Sequence, residues 1–201
     1  MAANDYHFIT TWRIPATPDE ISAVLGDAPA LARWWPSVYL AVDEVSPGDE
    51  RGVGKVVDLY TKGFLPYTLR WQFSVIASEP PTGFSIEARG DFVGRGIWTL
   101  RQEAGPADPG GPLTTVTYDW LVIAEKGILK RLSLVMKPIF KANHHWAMAR
   151  GEESLKIELA RRHAAGDPTL EAAMPAPPGP TFPHNLRAVQ RRVRSTRRRG
   201  R

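Results

Sequence analysis

The chain has 201 residues, 43% of them hydrophobic, enough for one domain of ordinary size with its own core. It contains no cysteine, which excludes disulfides, thiolate nucleophiles and cysteine-ligated zinc and is compatible with a cytoplasmic home. The net charge of +5 averages two unlike parts, because residues 187–201 hold eight arginines and no acid while the remainder has 18 basic and 21 acidic residues.

The opening residues, MAANDYHF, carry no basic stretch followed by an apolar one, so no secretory signal is expected. No later run approaches the roughly 18 uncharged apolar residues of a membrane-spanning helix. Tyr6 to Ile14 is rich in aromatic and β-branched residues and reads as a strand. Thr17-Pro18-Asp19-Glu20 then marks a helix start: Thr17 caps, Pro18 fits the first helical position, and Glu20 closes a capping box. Ala30 to Trp35 predicts a second short helix, stopped by Pro36.

Six strands are expected next, at 38–46, 53–61, 67–79, 83–90, 92–103 and 114–124. In the third, Leu69, Trp71, Phe73 and Val75 alternate with Arg70, Gln72 and Ser74. Gly94, Gly96, Trp98 and Leu100 share one face of a later run. The turn signals SPGDERG, KGFLP, EPPTG and AGPADPGGP separate these runs, and short connections favour an antiparallel sheet.

The last element predicted is a helix from Gly127 to His163, interrupted by Pro138. Beyond Pro138, His144, Met148, Gly151, Leu155 and Leu159 form one stripe, on which Gly151 would allow close approach to another element. From Gly166 to Leu186 the chain has six prolines and two glycines in 21 residues, the composition of a partly extended linker. The expected organisation is a domain over 1–165, a Pro-rich linker over 166–186 and an Arg-rich flexible tail over 187–201.

The order strand, two short helices, six strands, long helix resembles the helix-grip α+β fold of the START-like (SRPBCC) superfamily, the polyketide cyclase/dehydrase and lipid-transport group. WRIPATPDEISAVLGDAPALARWWPSV, GRGIWTL and KANHHWAMARGEESLKIELARR carry the resemblance, which spans roughly residues 5–163. It implies a curved antiparallel sheet wrapped around the long C-terminal helix with a cavity between them. It also implies a small hydrophobic ligand such as a lipid, quinone or polyketide-like molecule, either carried or sensed, or cyclised and dehydrated by an enzyme of this type.

An apolar ligand pocket requires wide, rigid aromatics and few polar groups. Of the seven tryptophans, Trp71 and Trp98 are the leading lining candidates, with Phe73 and Met148; Tyr60, Tyr118 and Trp120 follow. Trp34-Trp35-Pro36 either closes one end of the grip by packing or gates the cavity.

His144 and His145 point about 100° apart on a helix and lack a second ligand at the i+4 spacing a zinc pair needs, so no metal site is expected. His144 lies on the apolar stripe. It reads as a core or cavity-edge histidine with one hydrogen bond, and is also the best candidate for a proton-transferring group. Asn143 and Arg150 lie on one helix flank, either solvated or at a cavity mouth. Asp58 is placed facing in beside Tyr60, whereas Asp119 points out if Tyr118 and Trp120 point in. There is no Ser–His–Asp order, phosphate loop or carboxylate pair, and nothing identifies a cofactor. The sequence does not demand catalysis.

Arg191, Arg192, Arg194, Arg197, Arg198 and Arg199 in the tail attract polyanions by counterion release. A weak contact with nucleic acid or an anionic surface follows from charge alone, and no interleaved aromatics support base stacking.

Overall fold

The computed structural model describes residues 5–103, 111–124 and 127–182. Seven antiparallel strands form one curved sheet: β1 (Asp5–Ile14), β2 (Tyr39–Ser46), β3 (Val56–Lys62), β4 (Thr68–Glu79), β5 (Gly83–Gly90), β6 (Phe92–Gln102) and β7 (Thr114–Ala124). Their order across the sheet is β1-β7-β6-β5-β4-β3-β2. Every neighbour from β2 to β7 is a sequence neighbour, as short turns require, and only β1 crosses over to pair with the last strand. In that pairing Phe8 faces Trp120 and Trp12 faces Val116.

Between β1 and β2 lie α1 (Pro18–Leu25), a 3-10 turn (Ala28–Ala30) and α2 (Leu31–Trp34). The capping box at α1 is formed as its residues dictate. Glu20 N donates to Thr17 Oγ1 at 3.3 Å, and Thr17 N donates to Glu20 Oε2 at 2.8 Å. Ile21, Val24 and Leu25 are buried, at the spacing of one helix face.

The long helix α3 runs from Gly127 to His163 and continues through Pro138. Its expected stripe is the buried one: Met148, Gly151, Leu155 and Leu159 all face the core. Gly151 makes the closest approach. A Cβ there would lie 2.3 Å from Trp35 Cζ2, so the Trp35 indole occupies the space a side chain would need.

Glu158, 2% exposed, anchors the far half of α3. It accepts two hydrogen bonds from Arg33 of α2, at 2.8 and 2.9 Å, and further ones from Arg161 and Arg162. His163 at the helix end pairs with Glu20 of α1.

After α3 the chain does not simply depart. A short helix, α4 (Pro168–Ala173), is capped by Asp167, whose carboxylate accepts from Thr169 N and Leu170 N. The segment beyond returns to the body: Arg161 donates to the Pro175 carbonyl, and Thr181 Oγ1 donates to the Phe64 carbonyl at 3.3 Å. The arginines at 187–201 lie outside the described residues.

Candidate ligand cavity

The sheet and α3 do not meet along their whole length. At the end where Trp12, Trp34 and Trp35 pack, the groove is filled by side chains. Nearer the start of β1 and the middle of α3 it stays open as a cavity of about 130 Å³. Tyr6 and Phe8 of β1, Trp71 of β4, Phe92 of β6, and Tyr118, Trp120 and Val122 of β7 form one wall. Phe140, Asn143, His144, Ala147 and Met148 of α3 form the other, and Trp35, Val38, Tyr39, Thr61, Lys62, Gly63 and Tyr67 close the sides. The rings support one another: Tyr118 stacks on Trp98 at 4.1 Å, and Trp71 lies 5.9 Å from both Phe92 and Trp120.

Some polar groups of this lining are held by partners, whereas Tyr6 Oη and Trp35 Nε1 are buried with no hydrogen-bond partner among the described residues. Trp71 Nε1 donates to Thr61 Oγ1 at 3.0 Å. Asn143 Oδ1 accepts from Leu65 N at 3.4 Å, and its side chain fills the space above Gly63, where any Cβ would collide with it. His144 stacks on Phe8 at 4.1 Å, with Nε2 3.3 Å from Thr10 Oγ1. Burial, reinforced by neighbouring His145, pushes its pKa down to about 4, so the imidazole is neutral at neutral pH. Burial raises the Tyr39 and Tyr118 phenols well above their usual range and Tyr67 to about 12, which keeps all three as O–H donors.

Lys62 is different. It is the last residue of β3, 2% exposed, and its Nζ has no hydrogen-bond partner among the described residues. It lies over the Phe182 ring, 4.5 Å from the centroid. Burial lowers its pKa.

Of the residues singled out from sequence, the fold gathers Trp71, Tyr118, Trp120, Asn143, His144 and Met148 around this one cavity. Phe73 and Trp98 share the inner face but do not line this cavity, and Phe73 borders a separate pocket beside Leu25, Pro47 and Phe84. Phe73 packs 6.3 Å from Trp71, and Trp98 is wedged between Trp12, Phe84 and Tyr118. Tyr60 does not line the cavity: the pleat turns Leu59 and Thr61 inward, and Tyr60 lies under Arg70, 4.8 Å away. Asp58 is exposed rather than inward and accepts from Gln72 Nε2. Asp119 points out, where it meets His7. Arg150 pairs with Glu153 on the solvated flank of α3.

Residues 7–157 match the sequence profile of the family described as polyketide cyclase / dehydrase and lipid transport. The chain belongs to this family. No curated protein matches it. Among solved structures, the Zhui aromatase/cyclase of a Streptomyces species is similar at 16% identity and a TM-score of 0.58, covering 81% of this chain and 98% of that one. A START superfamily protein from Mycobacterium smegmatis is similar at 14% identity and a TM-score of 0.54, covering 74% and 98%. A di-domain ARO/CYC protein matches at 15% identity and a TM-score of 0.52, covering 83% of this chain and 52% of that one. At these identities the likeness is one of fold.

Within this cyclase/dehydrase and lipid-transport fold, sequence reasoning missed Lys62 and Tyr39 altogether, and treated Phe140 and Phe92 as ordinary element residues. Lys62 reads as the first residue of a turn, KGFLP, where lysine is commonplace. The one available signal was its place directly after the apolar alternation of β3.

Proposed function

We propose that the protein binds one small hydrophobic molecule in this cavity, as a carrier or sensor. The observation that carries the reading is a cavity walled mostly by aromatic rings and aliphatic side chains between the sheet and α3. Binding there removes ligand surface from water at roughly 0.8 kcal/mol per CH₂, before the cost of immobilisation. A dry cavity of ~150 Å³ takes up one benzene-sized ring. The space of about 130 Å³ therefore suits one compact ring system, and a longer ligand requires rings such as Tyr67 or Phe140 to swing aside.

The test is native mass spectrometry of the freshly purified protein, followed by titration of the identified or a surrogate ligand against tryptophan fluorescence. Trp35, Trp71 and Trp120 all face the cavity, so occupancy should change the emission. Trp71→Ala is expected to weaken binding on the order of tenfold, because a large aromatic contact is removed. Unchanged affinity in both Trp71→Ala and Trp120→Ala would remove the pocket assignment.

The second reading is a cyclase or dehydrase using the same cavity, favoured by the family and by His144 at the wall. An efficient general base has a pKa near the working pH. His144, held near 4, is a weak base at neutral pH, which is why binding without turnover is the first reading.

The same proposal places the protein in the cytoplasm; no helix among the described residues is long and apolar enough to cross a membrane. It also divides the chain into a helix-grip domain over 1–165, a Pro-rich linker over 166–186 and a flexible tail over 187–201. That tail is proposed to hold nucleic acid or an anionic surface weakly. Such binding should collapse between low and moderate salt and vanish when 187–201 is deleted.

A further inference from the structure

Among the described residues Lys62 is the one lysine or arginine lining the cavity, and the lining contains no aspartate or glutamate to neutralise it. Its Nζ is almost wholly removed from water without a hydrogen-bond partner. An ammonium group in that position forfeits its hydration and is retained only where something else supplies negative charge or electron density. Phe182 supplies part of this through its π face. A ring carries no formal charge and accepts no conventional hydrogen bond, so the donors of the ammonium group stay unused.

The surroundings of Lys62 are fixed rather than yielding. Lys62 N donates to the Val38 carbonyl at 2.9 Å, which pins the strand end. Gly63 is roofed by the Asn143 side chain, which in turn holds Leu65 N. The aromatic walls nearby offer an apolar body many contacts and no charge.

We infer that the cavity selects ligands bearing one acidic group, a carboxylate or an equally acidic enol or phenol, attached to a compact apolar body. The acid pairs with Lys62 Nζ and the body lies among Trp71, Trp120 and Phe140. This rests on the cavity being the ligand site. It adds the chemical class of the ligand and the residue that reads it.

The experiment measures equilibrium affinity for three matched pairs: benzoate and benzyl alcohol, 2-naphthoate and 2-naphthylmethanol, dodecanoate and dodecanol. Each is titrated against wild type and Lys62→Met, which keeps the stem and removes the charge. In wild type the acid of at least one pair should bind ten times more tightly than its alcohol. In Lys62→Met that preference should disappear, while the alcohol's affinity stays the same or rises, which also shows that the variant is folded. If, in every pair that binds, the alcohol binds wild type as well as its acid, the inference is overturned and the cavity reading stands. A preference for acids that survives in Lys62→Met overturns the role of Lys62. If none of the six compounds binds, the cavity reading fails and the inference fails with it.

Discussion

Gly151 shows how one atom can set a helix in place. In an exposed helix, replacing glycine by alanine is worth about 1 kcal/mol in favour of the folded state. Here the added Cβ would meet the Trp35 ring, and Trp35 is itself packed against Trp12, Trp34 and Tyr39. Overfilling a packed core costs about 1–3 kcal/mol. Gly151→Ala should therefore lower the thermal midpoint, against its helix propensity, and Gly151→Ala with Trp35→Leu should recover part of the loss. A rise in the midpoint of the single variant would show that the ring yields freely. His144 makes a second residue-scale case. Its folded pKa, about 4, lies below the 6.5 of an unfolded histidine, so the unfolded chain takes the proton first. The stability linked to it is complete above pH 6.5 and declines as the pH falls toward 4. Proton NMR should show the imidazole still neutral at pH 5, and His144→Phe should flatten the pH dependence of stability over that window. A normal midpoint for His144 would mean the cavity admits water freely.

Between elements, the cluster at Glu158 ties α3 to α2, and Glu20 ties the start of α1 to the end of α3. Burial alone would raise the Glu158 pKa, but hydrogen bonds from Arg33 and Arg162, with their charge, more than offset it and the net shift is downward. Hydrogen bonds from Thr17 N and His163 bring Glu20 down to about 2. Both folded values lie below the usual 4.5, so the linked stability is present above pH 4.5 and is lost as the pH falls through them. Removing one partner of a fully buried ion pair costs ~3–5 kcal/mol. The arginines around Glu158 are a third to a half exposed, so Glu158→Gln should cost less, about 1–3 kcal/mol at pH 7. Acid unfolding curves check the assignment: wild type should lose its advantage over the variant as the pH falls below 4.5, so that the gap between them narrows. These elements were legible because each is written locally. The capping box at Thr17, the alternation from Leu69 to Val75 and the stripe from His144 to Leu159 are patterns of neighbouring residues. The ties between elements were not legible, since Arg33 and Glu158 are 125 residues apart and each alone is an ordinary surface charge.

On the scale of the whole molecule, the cavity is what seven strands and a helix leave unfilled, and that remainder has no local pattern. Trp71 and Phe73 share a face in the sequence, yet only Trp71 lines this cavity, while Phe73 borders a separate pocket beside Leu25 and Phe84. Lys62 was hidden for a related reason. Its amine lies against a segment 120 residues later, and the proline-rich composition of that segment reads as linker. Thr181 and Phe182 bring this stretch back over the end of β3, with Thr181 bonded to the Phe64 carbonyl and the Phe182 ring facing Nζ. If this contact covers the amine, its loss should be measurable as chemistry. In Phe182→Ala, acetylation of Lys62 by a water-soluble reagent should run several-fold faster than in wild type, read by peptide mass spectrometry against Lys156 as an exposed internal standard. A saturating cavity ligand that pairs with Nζ should slow the reaction again in both proteins. Deleting only 187–201 should leave the rate unchanged, because Phe182 stays in place. Equal rates in wild type and Phe182→Ala would mean that strand packing alone buries the amine, and that the returning segment has no part in closing the site.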